Sequence, residues 1–219
     1  MIKKLNDEKD KKLSLKYHDN FNIVMLSFII IFILIYLLQT TELSNFGVPR
    51  VNAGEENELI FTYMILFIFY LIVDIIWVIL EPNSVKASPI SIIIHHIFAL
   101  IISPIPYLIP KFRRHFAGVS LSEINTFFLI LRRNTEKDSF SYNLCNYLFL
   151  ISWIIFRIIM LPVITYFLIF EYTNHSSEIN CFYNIRAIPP LLTGALTLMS
   201  FYWTYDIIVK LSKEKKVNN

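Results

Sequence analysis

This chain has few cysteines, few glycines and a small net charge, and each of these features excludes a class of protein. The 219 residues include 2 cysteines, which do not form a pair at metal-ligand spacing. With 4 glycines and 9 prolines, the chain lacks a glycine-rich phosphate loop and the composition of a linker or fibrous protein. A formal net charge of +3 is too small to indicate nucleic-acid binding.

Histidine is also too sparse for one class of membrane enzyme. Membrane-embedded di-iron hydroxylases and desaturases hold their metal with many histidines in spaced boxes, whereas this chain has 5 scattered ones. A nucleophile elbow is absent as well. We therefore expect no metal and no bound cofactor.

Apolar residues, by contrast, are abundant. Hydrophobic residues make up 55% of the chain and aromatic residues 16%, and the mean hydropathy is +0.54. These values exceed those of soluble globular proteins and predict an integral membrane protein. The charged N-terminal stretch and the length of the first apolar run predict a signal-anchor helix and not a cleavable signal.

Six apolar runs follow one another along the chain. Because about 20 residues cross roughly 30 Å of hydrocarbon, the runs predict an all-α, polytopic membrane bundle of about six transmembrane helices. The fourth run has 13 residues, a length that also suits a re-entrant segment. The expected spans are Phe21–Leu38, Leu59–Leu80, Pro89–Ile109, Val119–Leu131, Leu144–Phe170 and Ile188–Leu211.

The distribution of lysine and arginine predicts that both termini lie in the cytoplasm. With six crossings, 14 of these residues lie on the side of the termini and 5 on the other side. We divide the chain into a charged cytoplasmic tail (1–20), a transmembrane domain (21–211) and a Lys-rich cytoplasmic tail (212–219). Because Cys145 and Cys181 fall on opposite sides of the membrane, we expect no disulfide between them.

Two adjacent histidines, His95 and His96, lie inside the third apolar run. Hydrocarbon cannot hydrogen-bond an imidazole, so ionisable residues at membrane depth usually face a bundle interior or a wet cavity. At 1.5 Å per helical residue, this pair lies roughly 10 Å inside the cytoplasmic end of its span. The acidic residues expected at a similar level, roughly 6–13 Å deep, are Asp74, Glu123 and Asp206.

The paired histidines cannot both face one small target, because neighbouring helical residues point about 100° apart. We expect one imidazole to face the cavity and the other to bond an acid or a carbonyl on a flanking helix. An acidic partner such as Asp74 or Glu123 would fix the tautomer, as general-base chemistry requires. A structural network whose members only satisfy one another is equally compatible with the spacing.

Other polar residues in the spans are expected to have supporting roles. Arg157 is expected to offset a buried acid, with substrate binding as the alternative, and Asp206 is expected to be structural. Interhelical hydrogen bonds are predicted for Asn146, Tyr70 and Tyr202. The residues interpreted as surface or lipid-facing are His18, His115, His175, Trp77, Trp153 and Trp203.

Several short motifs occur in a fixed order. They are Tyr70-Leu-Ile-Val-Asp74, Ile94-His95-His96-Ile97, Ser122-Glu123-Ile-Asn-Thr126-Phe127-Phe128 followed by Arg132-Arg133, and Asn146-Tyr-Leu-Phe followed by Phe156-Arg157. Over about residues 20–212 this order resembles the TLC-domain family. That family includes ceramide synthases, translocating-chain-associated membrane proteins and small lipid-homeostasis proteins.

The resemblance implies a helical bundle around a lipid-accommodating cavity, in the endoplasmic reticulum. In the ceramide-synthase branch, a pair like His95-His96 belongs to the acyl-transfer site, which makes these two residues the catalytic candidates. That branch also has a later His-Asp, whereas none occurs here between Pro110 and Asp138. The Ser-Glu-x-x-Thr-Phe segment looks more like the small lipid-homeostasis branch.

Three functions are open at this point. We favour binding, sensing or homeostasis of acyl-chain or sphingolipid species, with membrane lipid as the partner; a homo-oligomer or a membrane-protein partner is compatible. The alternatives are an N-acyltransferase with acyl-CoA as co-substrate, and a proton-coupled transporter with a relay of acids and histidines. The residues expected to line the lipid cavity are Asp74, Glu123, Asn146, Arg157, Tyr70 and Asp206.

Overall fold

The computed structural model describes residues 2–40, 58–85 and 88–217, with side chains between residues 11 and 209 of these ranges. Within them the regular structure is helical and includes no strand, which confirms the predicted all-α class. The side chains of the Lys-rich tail, 212–219, lie outside the described set.

The helices follow the apolar runs closely. In chain order they are α1 (Ile2–Thr40), α2 (Glu58–Leu80), α3 (Pro89–Ile102), α4 (Ile105–Leu108), α5 (Arg113–Ser120), α6 (Glu123–Asn134), α7 (Phe140–Ser152), α8 (Leu161–Glu178) and α9 (Ile188–Val217). A π-helical segment, Trp153–Met160, joins α7 to α8. Short 3-10 turns occupy Pro82–Ser84, Pro110–Phe112 and Ile185–Ala187.

The third predicted span, Pro89–Ile109, is not one uninterrupted helix. α3 ends at Ile102, and α4 begins after a turn that contains Pro104. Proline lacks a backbone N–H and its ring collides with the preceding turn, so it interrupts the helical ladder. The break therefore has a local cause.

The fourth predicted span, Val119–Leu131, is also wrong as a single helix. α5 ends at Ser120 and α6 begins at Glu123, and at the junction the N–H of Ser122 bonds Val119 O at 3.1 Å. This i→i+3 bond tightens the chain between the two helices. The junction places the Glu123 side chain in the first turn of α6.

The fifth and sixth predicted spans are extended in the structure. α7, the π-helical segment and α8 form one apolar helix of 39 residues, from Phe140 to Glu178. The free thiols of Cys145 and Cys181 lie near its opposite ends. α9 continues beyond the predicted end of the last span.

The described helices close a ring. α1 packs against α2, α2 against α3, α3 against α9, α9 against α8, α7 against α6, and α6 against α1. Spans four, five and six therefore run around the ring in the reverse of their chain order. The closing contact between α1 and α6 includes an ion pair of Asp19 with Arg133.

The exterior of the ring is apolar, as a membrane requires. Among the described residues, four stretches are long and apolar enough to cross a bilayer: Lys11–Thr40, Glu58–Leu80, Pro89–Leu108 and Phe140–Glu178. Large apolar side chains on their outer faces are exposed, for example Ile65 and Leu80 on α2. Such faces are typical of helices that contact lipid.

Candidate functional site

Asp74 of α2 lies between two imidazoles. His18 Nε2 of α1 donates a 2.7 Å hydrogen bond to Asp74 Oδ1, and His96 Nδ1 of α3 lies 3.0 Å from Asp74 Oδ2. The exposed fractions of His18, Asp74 and His96 are 3%, 2% and 6%. We call these three residues the histidine–aspartate triad; it connects three helices inside the bundle.

His95 and Glu123 form a second pair on the other side of α3. His95 Nε2 lies 3.8 Å from Glu123 Oε1, and both side chains are buried. His95 Nδ1 has no hydrogen-bond partner within the described residues. Glu123 is held at the start of α6, which the α5–α6 junction brings beside α3.

The two neighbouring histidines diverge as helical geometry requires. His96 points to the acid on α2, whereas His95 lines a small hollow together with Glu123. The remainder of the hollow is mainly apolar, with Phe67, Ala99 and Ile102 among its lining residues. The arrangement agrees with the expectation that only one imidazole of the pair faces a cavity.

This hollow is small. Its volume is about 20 Å³, which is enough for about one water molecule and not for an acyl chain. A larger and more open groove of about 770 Å³ lies at the surface between α1 and α2, beside Tyr17 and Trp77. A lipid chain would therefore reach the His95 side of the bundle only where helices separate.

Arg157 lies in the π-helical segment and is 3% exposed. Its guanidinium carbon lies 5.2 Å from the ring centroid of Trp153 and 5.5 Å from that of Trp203. Nη2 donates a long hydrogen bond of 3.5 Å to Ser122 O, whereas Nε and Nη1 have no partner within the described residues. Glu123 is close enough to interact with Arg157 electrostatically but forms no ion pair with it.

Trp153 and Trp203, interpreted as lipid or interface contacts, are half-buried and also make interhelical hydrogen bonds beside the site. Trp153 Nε1 donates to Thr204 Oγ1 at 2.9 Å, and Trp203 Nε1 donates to Ser91 Oγ at 3.0 Å. These bonds fix both rings against Arg157. The centroid of Trp203 also lies 5.3 Å from that of His95.

The remaining predicted residues occupy different places. Tyr70 is buried, with its ring centroid 6.1 Å from that of His96. Asn146 accepts a 2.6 Å hydrogen bond from Arg132 between α6 and α7, away from the hollow. Asp206 is half-buried near the end of α9.

Two sequence interpretations are corrected here. Tyr202 is 65% exposed and makes no interhelical hydrogen bond within the described residues. His18, interpreted as a surface residue of a tail, is a buried member of the triad. Asn22 Nδ2, one helical turn away, lies 3.2 Å from His18 Nε2.

The buried face of α1 extends as far as His18. Buried residues of α1 recur every three or four positions, and the stripe continues into the predicted tail: His18, Asn22, Leu26, Ile29, Ile33 and Tyr36. Spacing of this kind marks one face of a helix. α1 therefore crosses the predicted boundary at residue 20 without a break.

Metal ligation has no support among the side chains that the structure describes. No group of three or more His, Cys, Asp and Glu residues there is arranged to hold a metal ion. The acids and imidazoles instead form two polar groups, the triad around Asp74 and the His95–Glu123 pair. Proton transfer and hydrogen bonding are the chemistry that such groups offer.

Comparison with known proteins gives one match. The family model described as the TLC domain matches residues 20–209. Neither a curated protein nor a solved structure is similar enough to match this chain. Because the match covers most of the chain, with the His95–Glu123 pair and the Asp74 and His96 members of the triad inside it, the chain belongs to the TLC-domain family.

Proposed function

We propose that this protein handles lipid in the membrane by binding the polar group of one lipid at the hollow beside His95. The observation that supports this is the contrast within the hollow, where His95 and Glu123 face a lining of apolar side chains. Polar groups at membrane depth are costly unless they are paired or used. An amphiphilic ligand would satisfy both parts of the lining.

The two histidines have separate roles in this proposal. His96 Nδ1 lies at ion-pair distance, 3.0 Å, from Asp74 Oδ2, although the contact lacks hydrogen-bond geometry, so its role is to hold α3 against α2. His95 Nδ1 has no such partner within the described residues and is the nitrogen that a ligand would engage. His95 is therefore the main ligand-binding residue, with Glu123 as its support.

The small volume of the hollow limits how a lipid would bind. About 20 Å³ accommodates a polar atom or two, while the acyl chain would lie between helices and extend to the surrounding bilayer. We place the protein in the endoplasmic reticulum membrane with both termini in the cytoplasm. The bound species is an acyl-chain or sphingolipid molecule.

A specific feature also supports the alternative of an acyl-CoA-dependent N-acyltransferase. Glu123 faces one nitrogen of His95 and leaves the other without a partner, as in a general base oriented by a carboxylate. His95 would accept the proton of an attacking amine as nitrogen adds to the thioester carbonyl. The C–S bond would then break, and coenzyme A would leave as the thiol after taking up a proton.

Lipid retention tests the main proposal. The full chain is purified in nanodiscs, and the lipids that remain bound after exchange are measured by mass spectrometry. Loss of one hydrogen bond of about 1–2 kcal/mol predicts a roughly 5–30-fold lower retention in His95→Ala. His175→Ala is the matched control because this histidine lies in the last turn of α8, away from the hollow. Equal retention in all three proteins would contradict the proposal.

The same preparation separates binding from catalysis. Acyl-CoA and a long-chain base are added, and an amide product is sought in the wild-type protein and in both histidine variants. A product that disappears in His95→Ala and persists in His175→Ala supports the acyltransferase. Retained lipid without product supports a binding role.

A further inference from the structure

We propose that Arg157 anchors a site for a lipid carboxylate, the head group of a free long-chain fatty acid. This inference rests on the proposed lipid-handling function and names the ligand class. It gives a role to a buried cation that Glu123 faces electrostatically but that forms no ion pair with an acid within the described residues.

Arg157 has N–H donors without a hydrogen-bond partner within the described residues. The side chain is 3% exposed, and its one hydrogen bond within the described residues is the 3.5 Å contact with Ser122 O. Nε and Nη1 have no partner there. Burial of a charged group with unpaired donors costs several kcal/mol. An anionic ligand would remove that cost.

Two tryptophan rings hold the guanidinium of Arg157 in place. The rings of Trp153 and Trp203 lie near it, and each indole N–H is bonded elsewhere, to Thr204 and Ser91. Ring faces stabilise a cation by about 0.5–2 kcal/mol but offer no lone pair to the N–H groups. The π-helical segment that carries Arg157 is a type of distortion that is frequent at functional sites.

Arg157 lies next to the hollow that His95 and Glu123 line. Ser122, which Arg157 contacts, lines the hollow together with His95 and Glu123. Trp203 contacts both the guanidinium and the His95 ring. A head group bound at this edge of the hollow would therefore have His95 and Glu123 on the lining and Arg157 next to it, behind Ser122.

The geometry of the guanidinium favours a carboxylate over other anionic groups. Its planar pair of oxygens matches the paired donors of a guanidinium. Because the hollow of about 20 Å³ holds only about one water molecule, the head group would lie at its edge, where a phosphodiester with substituents on both sides needs still more room. Glu123 is the competing acid of the chain, but it lies 3.8 Å from His95 and forms no ion pair with Arg157.

The test measures binding of oleate, methyl oleate and dioleoyl phosphatidate to the full chain in nanodiscs. We expect saturable oleate binding that is at least about tenfold tighter than methyl oleate binding, because loss of the charge removes a charge-assisted hydrogen bond of about 1.5–3 kcal/mol. Methyl oleate that binds as well as oleate, or phosphatidate as the sole tight ligand, would overturn the inference. These comparisons use the wild-type protein and need no variant to fold.

Variants then assign the binding to Arg157. Arg157→Gln is expected to weaken oleate binding about tenfold, and Arg157→Lys to weaken it less, since lysine keeps the charge without the planar fork. Arg132→Gln is the matched control, because that arginine contacts Asn146 and the ring of Phe149 away from the hollow. Oleate affinity that is unchanged in folded Arg157→Gln would refute the assignment.

The outcome is separable from that of the proposed function. If another lipid is retained in a His95-dependent manner while oleate does not bind, the carboxylate site is wrong and lipid handling stands. If no lipid is retained in the wild-type protein and oleate does not bind, both are wrong.

Discussion

Removal of the His18–Asp74 contact should destabilise the bundle, and a double-mutant cycle can measure by how much. The contact is 2.7 Å long, between side chains whose exposed fractions are 4% and 2%. Charge-assisted hydrogen bonds in soluble proteins contribute about 1.5–3 kcal/mol. Interhelical polar pairs in membranes average about 0.6 and reach about 1.7 kcal/mol. We therefore expect a coupling free energy of about 1–2 kcal/mol between His18→Ala and Asp74→Asn.

The assay is reversible unfolding of the purified chain in mixed micelles with increasing SDS, followed by far-UV circular dichroism. The free energy of unfolding is measured for the wild type, both single variants and the double variant. A parallel cycle of Asp74→Asn with His175→Ala is the control, and residues this distant should be additive within about 0.3–0.5 kcal/mol. His175 lies in the last turn of α8.

One further variant separates hydrogen bonding from bulk. In His18→Gln the amide nitrogen can occupy the place of Nε2, the atom that contacts Asp74. We expect this variant to regain at least half of the stability lost in His18→Ala. A coupling free energy below about 0.3 kcal/mol in the first cycle would show that His18 and Asp74 do not interact, as expected if His18 lay in a solvated tail.

Three other predictions follow from local packing and are checked by the same unfolding assay. A Cβ at Gly118 would lie 2.8 Å from Ile164 Cδ1, the end of a side chain that can move. Gly118→Ala should therefore lower the free energy of unfolding by less than about 1 kcal/mol, and Gly118→Leu should lower it by about 1–3 kcal/mol. Asp19→Asn, which breaks the partly buried pair with Arg133, should cost about 1–3 kcal/mol, and an unchanged midpoint would contradict the closure of α1 on α6. Trp203→Phe loses the hydrogen bond to α3 and should cost about 1 kcal/mol, and a gain in stability would contradict that contact.

The spans could be predicted because the signal is local. An apolar run long enough to cross a bilayer is a property of consecutive residues, and helices end where Pro82 and similar residues follow the run. The interruption of the third span at Pro104 also has a local cause. These parts of the fold follow from composition and chain chemistry.

The site was predictable only in part, because partners depend on which helices become neighbours. The opposite directions of His95 and His96 follow from helical geometry, and Asp74 and Glu123 were named as their acidic partners. The structure assigns each acid to one histidine through the order of helices around the ring. That order is a property of packing and not of sequence spacing.

His18 was missed for a physical reason. The charged residues around it indicate solvent, since lysines and acids alternate through the first 16 residues. Burial of one face of such a helix needs a neighbour, here α2, that sequence spacing does not reveal. The 3.6-residue periodicity of α1 appears in its burial and not in its sequence, because the first apolar run is apolar on nearly every face.

The position of the triad along the chain also bears on biogenesis. His18, Asp74 and His96 belong to the first three spans, so the carboxylate of α2 meets both of its partners before later spans are made. Glu123 and Arg157, by contrast, belong to later spans. A nascent chain that has inserted only three spans thus already contains both partners of Asp74, so this acid needs no later span for its pairing.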